Sequence, residues 1–163
     1  MNVFWLDEDP RCAARYHCDE HVNKLLLEAA QVLCTAARSN GYDADFLYAS
    51  THAAHPVTTW AAESEANWKR LREHAKALNA EFVERYGKND DHASWMVIER
   101  IEPEKIDFSS TEPTPRPQAM PEEYRQPGDP VAAYRAYYAA EKAPWATWAH
   151  TEKPPWLEAA AEG

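Results

Sequence analysis

Between Asp9 and Gly41, apolar residues recur at steps of three and four. Val22, Leu25, Leu26, Ala29, Val32, Leu33 and Ala36 fall on one side of a helix and polar residues on the other. Asp9-Pro10 supplies the start: the carboxylate can cap, and proline suits the first helical position because no N–H is needed there. The span is long for one globular helix, and Asp19 can cap a second, so a break is expected near His17–Asp19. Asn40-Gly41 marks the end. A second stripe, Trp60, Ser64, Trp68, Leu71, Ala75, Leu78 and Phe82, predicts one long helix from Pro56 to just before Gly87. A short helix is expected over 92–100. A last one, over about 130–143, is opened by Asp129-Pro130 and carries Tyr134, Tyr137 and Tyr138.

The remaining segments read as connections. Residues 2–6 form a short apolar start, either a strand or a buried arm, and residues 41–55 form a loop. Residues 102–130 hold seven of the twelve prolines, too many for a helix, and predict an extended segment wrapping the surface. Trp145, Trp148 and Trp156 predict a tail that packs down. The pattern describes an all-α single domain over 1–163: three main helices, a long proline-rich connection and an aromatic C-terminal tail.

Composition narrows the class. The 163 residues suit one domain, and 45% hydrophobic residues with seven tryptophans and eight tyrosines can fill a core. No apolar run approaches the length of a membrane span, so no membrane partner is expected. The acidic start MNVFWLDEDP lacks the features of a secretory signal. Three cysteines, Cys12, Cys18 and Cys34, argue against a disulfide framework and for a reducing, cytoplasmic setting. The net charge of −10 counts against a broad duplex-binding surface, which needs clustered Lys and Arg.

Three clusters could carry chemistry. Asp19, His21, Lys24, Glu28 and Gln31 share the predicted first helix, and His21, Lys24 and Glu28 lie on one face. Together they could supply a base, an amine nucleophile and an acid, or simply form a solvated face with a Lys24–Glu28 pair. His52 and His55, three apart before Pro56, could join His17 and His21 around zinc. No acidic residue accompanies them as in a metalloprotease helix, so capping and hydrogen-bonding roles are expected and no metal. Cys12 and Cys18 lack zinc-knuckle spacing and read as core thiols. The third cluster is aromatic, Tyr134, Tyr137 and Tyr138 with Trp145 and Trp148 just beyond, and beside Arg135 and Lys142 it would suit base stacking, although Tyr134 and Tyr138 read rather as core. A glycine-rich phosphate loop, a GxSxG elbow and a CxxC pair are all missing, and no cofactor is expected.

Segment 18–33, CDEHVNKLLLEAAQVL, resembles the first helix of the phage pyrimidine-dimer DNA glycosylases, the endonuclease V family. That family has an Asp, a His two residues on, and its catalytic Glu seven after the His. Residues 55–87, PQAMPEEY at 117–124 and YRAYYAAEKA at 134–143 resemble later family segments in the same order. The chain also resembles a broad set of tailed-phage proteins with the pattern MNxFxLDxDP, CDxH, THxxHP and QAMPxxY. The resemblance implies an all-helical fold, Glu28 as acid/base, His21 on the substrate side, and an N-terminal amine that attacks the sugar C1′. Asn2 stands where the family has its threonine, and its bulk predicts that Met1 is kept, so the amine would be that of Met1. Leu27 and Gln31 replace the family's arginines around the glutamate. Lys24 is a substitute amine if partial burial lowers its pKa.

The expected function is an enzyme acting on a DNA base or nucleotide by base excision or modified-base processing. The competing readings are a non-catalytic nucleotide- or host-protein-binding module and a metal-dependent hydrolase built on the histidines. The expected partners are a nucleotide, a modified base or short DNA held by Asn2, Asp19, Gln31, His52, His55, Tyr137, Lys142 and Trp145, with weak binding to plain duplex. His52 and His55 are expected to approach His21 or Glu28.

Overall fold

The Asp9 carboxylate accepts a hydrogen bond from the Arg11 N–H, and Pro10 occupies the first turn, so helix α1 (Pro10–Tyr16) starts as the sequence predicts. In the computed structural model, which describes residues 2–162, the expected break follows at once: His17 and Cys18 are extended, and α2 (Asp19–Ser39) begins. A helix end leaves carbonyls without partners. Here Arg85 answers them. Its Nη1 donates to the His17 carbonyl at 2.7 Å and its Nη2 to the Arg15 carbonyl at 2.8 Å. On the other side of the elbow, the Cys18 N–H donates to the Tyr138 hydroxyl oxygen at 2.9 Å.

Helix α2 is the central rod. Val22, Leu25, Leu26, Ala29, Ala30, Val32, Leu33, Ala36 and Ala37 are buried, and the alanines let neighbouring helices come close. The long helix expected after Pro56 is two helices, α3 (Pro56–Glu63) and α4 (Glu65–Arg85). The corner between them is Ser64, extended at φ −152° and ψ 157°. Its hydroxyl accepts from the Asn67 N–H at 3.1 Å and caps α4, while the Asn67 amide donates to the Trp60 carbonyl at 2.9 Å. Serine's local bonding competes with helix continuation. The apolar period conceals the corner because Trp60, Trp68 and Leu71 are buried on both sides of it. Helices α1 and α3 each pack on α4, α3, α4 and α5 (Ala93–Arg100) contact α2, and the Trp68 indole N–H donates to the Leu33 carbonyl at 3.1 Å.

The first residues are a buried arm: Val3, Phe4, Trp5 and Leu6 are each at most 3% exposed. The proline-rich connection wraps as expected, with one-turn 3₁₀ segments at Pro103–Lys105 and Glu122–Tyr124. It is stitched down by the Thr114 N–H donating to Asn67 at 3.0 Å and by the Tyr134 hydroxyl donating to the Pro117 carbonyl at 2.9 Å. The last predicted helix divides into α6 (Pro130–Tyr137) and a wider π turn, Tyr138–Lys142. In the tail, Trp148 is buried and donates to the Tyr16 carbonyl, and Trp156 packs on Tyr16 before α7 (Leu157–Glu162). Trp145, by contrast, is 49% exposed. The chain is all-α, and among the described residues no helix is long and apolar enough to cross a membrane.

Two features set the stability. Arg85 is the buried hub, bonded through Nε to Glu81 at 2.9 Å and through Nη1 to Asp19 at 3.2 Å. Replacing Arg85 by Met strands both carboxylates and the elbow carbonyls. The expected loss is about 3–5 kcal/mol in urea unfolding. His17 and His74 are fully buried, with rings 5.5 Å apart, and burial pushes His17 down to about 3 and His74 well below its ordinary range. Both folded-state values lie below the unfolded one. Stability is therefore full near neutral pH and falls as the pH drops through about 6.5, where the unfolded chain takes up protons that the folded chain refuses. His17 is expected to cost about 2 kcal/mol by pH 5, and His74 acts in the same direction. Thermal melts across that range check this, and a midpoint that does not move would refute it.

Candidate functional site

Neighbouring residues of an extended arm point to opposite sides. Phe4 points toward α2 and α6, and Trp5 toward α3 and α4. The Phe4 ring stacks on His21 at 5.3 Å between centroids and on Tyr137 at 5.8 Å, with interplanar angles of 20° and 22°. Tyr124 lies 5.4 Å beyond Tyr137, so four rings run in series. The faces of Tyr137 are thus flanked by residues of the chain itself. The open ring in this neighbourhood is Trp145, whose edge-on contact with His21 is 5.3 Å between centroids. Its indole N–H is tied to the Glu141 carbonyl at 3.0 Å.

The protonation of His21 follows from its partners. Its Nδ1 lies 2.9 Å from the hydroxyl oxygen of Tyr138, which also accepts from the Cys18 N–H. Tyr138 is fully buried, and its pKa is pushed far up, so it keeps its one proton. The Tyr138 hydroxyl can donate to His21 Nδ1 or accept from it, and donation places the ring proton on Nε2. Burial, then the charges of Lys142 and Lys24, push His21 down to about 4. At neutral pH the side chain is a neutral imidazole.

The π turn after α6 brings Lys142 back over the arm, with Nζ 6.0 Å from the Phe4 centroid and 5.2 Å from that of Tyr137. Lys142 is half-buried. Lys24 is exposed, so the partial burial asked of a substitute nucleophile is missing there. Glu28 and Gln31 are half-buried farther along α2, with Glu28 Oε2 shielded from solvent and Leu27 exposed beside it. Seven residues of helix put Glu28 about 10 Å beyond His21. The Asn2 amide donates to the Ala119 carbonyl at 2.8 Å, which fixes the start of the arm. Met1, whose amine the resemblance implies as nucleophile, lies outside the described residues.

Two expected site residues have other partners. The Asp19 carboxylate takes Arg85 at 3.2 Å and the Ala149 N–H at 2.7 Å, which makes it a joint between helix and tail. His55 caps α3, its Nδ1 accepting from the Val57 N–H at 3.1 Å. His52 is exposed in left-handed backbone (φ 50°), its Nδ1 3.0 Å from the Thr51 hydroxyl. The turn is pinned to α2 where the Thr51 N–H meets the Thr35 hydroxyl at 3.1 Å, another seven residues past Glu28. Among the described residues no three His, Cys, Asp or Glu side chains converge as a metal site.

Phe4 and Tyr138 are the two residues that organise this site and that sequence reasoning placed only as apolar filling. Scans against family models, curated proteins and solved structures return no match to the chain.

The His21 assignment is open to direct measurement. Nitrogen-15 NMR should show the neutral Nε2–H tautomer at pH 7 and a titration midpoint near 4. In Tyr138→Phe, the Nδ1 preference should be lost and stability should fall by about 1–3 kcal/mol, because the Cys18 N–H loses its acceptor. A wild-type midpoint near 6.5, the ordinary histidine value, would contradict the buried geometry.

Proposed function

We propose that this chain is an enzyme acting on a DNA base or a nucleotide at its N-glycosidic bond, with Glu28 as acid/base. The observation that carries the reading is the arrangement around His21: a neutral imidazole held at Nδ1 by Tyr138, Lys24 and Lys142 near it, and the open Trp145 indole at its edge. A base is flat and rich in acceptors. An exposed indole can stack it for about 1–3 kcal/mol, and a neutral imidazole can hydrogen-bond its ring nitrogen or carbonyl without adding charge.

The half-buried carboxylate of Glu28 supports the proton-transfer role. It would take a proton from the group attacking C1′, a water or an amine, while the C1′–N bond breaks and its electron pair leaves with the base. His21 Nε2–H would hydrogen-bond the departing base, which then takes a proton from solvent. The resemblance in residues 18–33 independently implies a glutamate at this position. The net charge of −10 and the exposed Leu27 favour a small ligand or a short single strand over long duplex.

Glu28→Gln should cost about two to four orders of magnitude in turnover. It should leave stability within about 1 kcal/mol. Borohydride trapping on damaged or modified DNA reads an amine nucleophile, with Lys142→Ala and Lys24→Ala locating it. Titration of plain duplex, a short single strand and mononucleotides at two salt concentrations should give mild salt dependence and loss of binding in Trp145→Ala. Tight, steeply salt-dependent duplex binding would restore a repair-type duplex reading. If no nucleotide or strand binds, the proposal fails in favour of a protein-binding module.

A further inference from the structure

On the opposite side of the arm from Phe4, the Trp5 ring lies under two guanidiniums, with Arg116 Cζ 5.4 Å and Arg70 Cζ 5.9 Å from its centroid. Both arginines grip one carboxylate. Arg116 Nη2 donates to Glu8 Oε1 at 2.6 Å, and Arg70 Nη2 to Glu8 Oε2 at 2.9 Å. The two partners differ sharply in burial: the Arg116 side chain is 11% exposed and that of Glu8 64%. Arg116 also has a second nitrogen, Nη1, that is buried and meets no acceptor among the described residues.

Beside this cluster lies a cleft of about 300 Å³ between the start of α4 and residues 113–116, lined in part by Lys69, Arg70, Arg116 and Thr114. The hydrogen bonds of Asn67 to Thr114, at 2.7 and 3.0 Å, hold the proline-rich segment against α4 there, so the wall that carries Arg116 is fixed. Glu73 is the acid in the lining, and Lys69 is paired with Glu65 at 2.5 Å. Two forked guanidiniums converging on a pair of carboxylate oxygens present the donor geometry that also fits two oxygens of a phosphate. Glu8 sits just ahead of the α1 cap, largely in water, and can swing out without disturbing the core. Exposed ion pairs of this kind are weak. A phosphate dianion offers the same two arginines twice the charge.

We propose that this cleft is a phosphoryl-binding site in which Arg70 and Arg116 hold the phosphate of a nucleotide or phosphate ester, and Glu8 is the carboxylate that the ligand displaces from the two guanidiniums. The site is separate from the His21 cluster, with Phe4 and Trp5 of one arm serving one each. Phosphate binding here is read without turnover, so failure of this proposal leaves the Glu28 chemistry untouched, and the converse also holds.

The experiment is a titration of the full chain with inorganic phosphate and, in parallel, with dTMP, followed by NMR shifts of the Trp5 indole and the arginine Nε–H groups. Glu8→Gln should bind phosphate about tenfold more tightly than wild type, because the competing carboxylate is gone. Arg70→Gln should bind about tenfold more weakly, the loss of one charge-assisted contact. Arg70 is surface-lying, and melting temperatures confirm that both variants are folded. Equal affinities for phosphate and dTMP would assign the cleft to the phosphoryl group alone, and tighter dTMP binding, lost in Arg70→Gln, would assign it to a nucleotide. A Glu8→Gln chain that binds phosphate no better than wild type, or an Arg70→Gln chain that binds it equally well, overturns the proposal.

Discussion

One guanidinium holds the arrangement together. Arg85, at the end of α4, reaches into the elbow between α1 and α2 and bonds Glu81, Asp19 and the carbonyls of Arg15 and His17. Arginine suits this task because its planar fork offers five fixed donors and stays charged when buried. The elbow matters because it sets the direction in which α2 leaves α1, and hence where His21 faces. The second carboxylate oxygen of Asp19 then captures the Ala149 N–H, so the same ion pair also seats the C-terminal tail. With that tail come Trp145 and Trp148. Breaking one charge would thus disturb both the helix junction and the C-terminal tail.

The helical outline was legible because local chemistry and packing agree there. Asp9-Pro10, Asp129-Pro130 and Asn40-Gly41 each mark a terminus by side-chain capping, fixed φ or a left-handed glycine. Gly41, at φ 84°, adopts the conformation that position requires. The corner at Ser64 was hidden for a physical reason. A buried serine keeps the apolar period intact, and only the hydrogen bonds of Asn67, one of them to a residue 47 positions away, show that the chain turns. The last helix does run on to Lys142, and only its widening into a π turn over 138–142, which answers to where Lys142 and Tyr138 have to reach, was not legible.

The candidate site was legible in its residue types and not in its wiring. His21, Lys24, Lys142, Trp145 and Glu28 could be singled out by chemistry, and the structure sets Lys24, Lys142 and Trp145 about the His21 ring. Nothing local announced that Tyr138 would bond the His21 ring from 117 residues away, or that Phe4 would fill the space between His21 and Tyr137. Apolar and aromatic residues carry no label of partner in the sequence. Asp19 shows the converse: a motif-like position can be taken over by the frame. Both outcomes follow from long-range pairing, which periodicity does not encode.

The buried arm has a consequence for how the molecule is made. Asn2 bonds Ala119 across 117 residues, and the Leu6 carbonyl accepts from Arg135 across 129. Residues 2–6 therefore find their partners only after residues 119–135 have been synthesised. Loop-closure entropy must be met before these contacts return anything, which slows their formation relative to the helix pairs α1 to α4. The helical frame can collapse early around α2, whereas the Phe4 and Trp5 pockets have to wait for residues 113–138. In a nascent or truncated chain, a stretch of four apolar residues, Val3 to Leu6, stays uncovered and open to capture by chaperones or by other chains. The arm that organises both candidate sites is thus the last part of the fold to be secured, and binding competence becomes a late checkpoint in biogenesis.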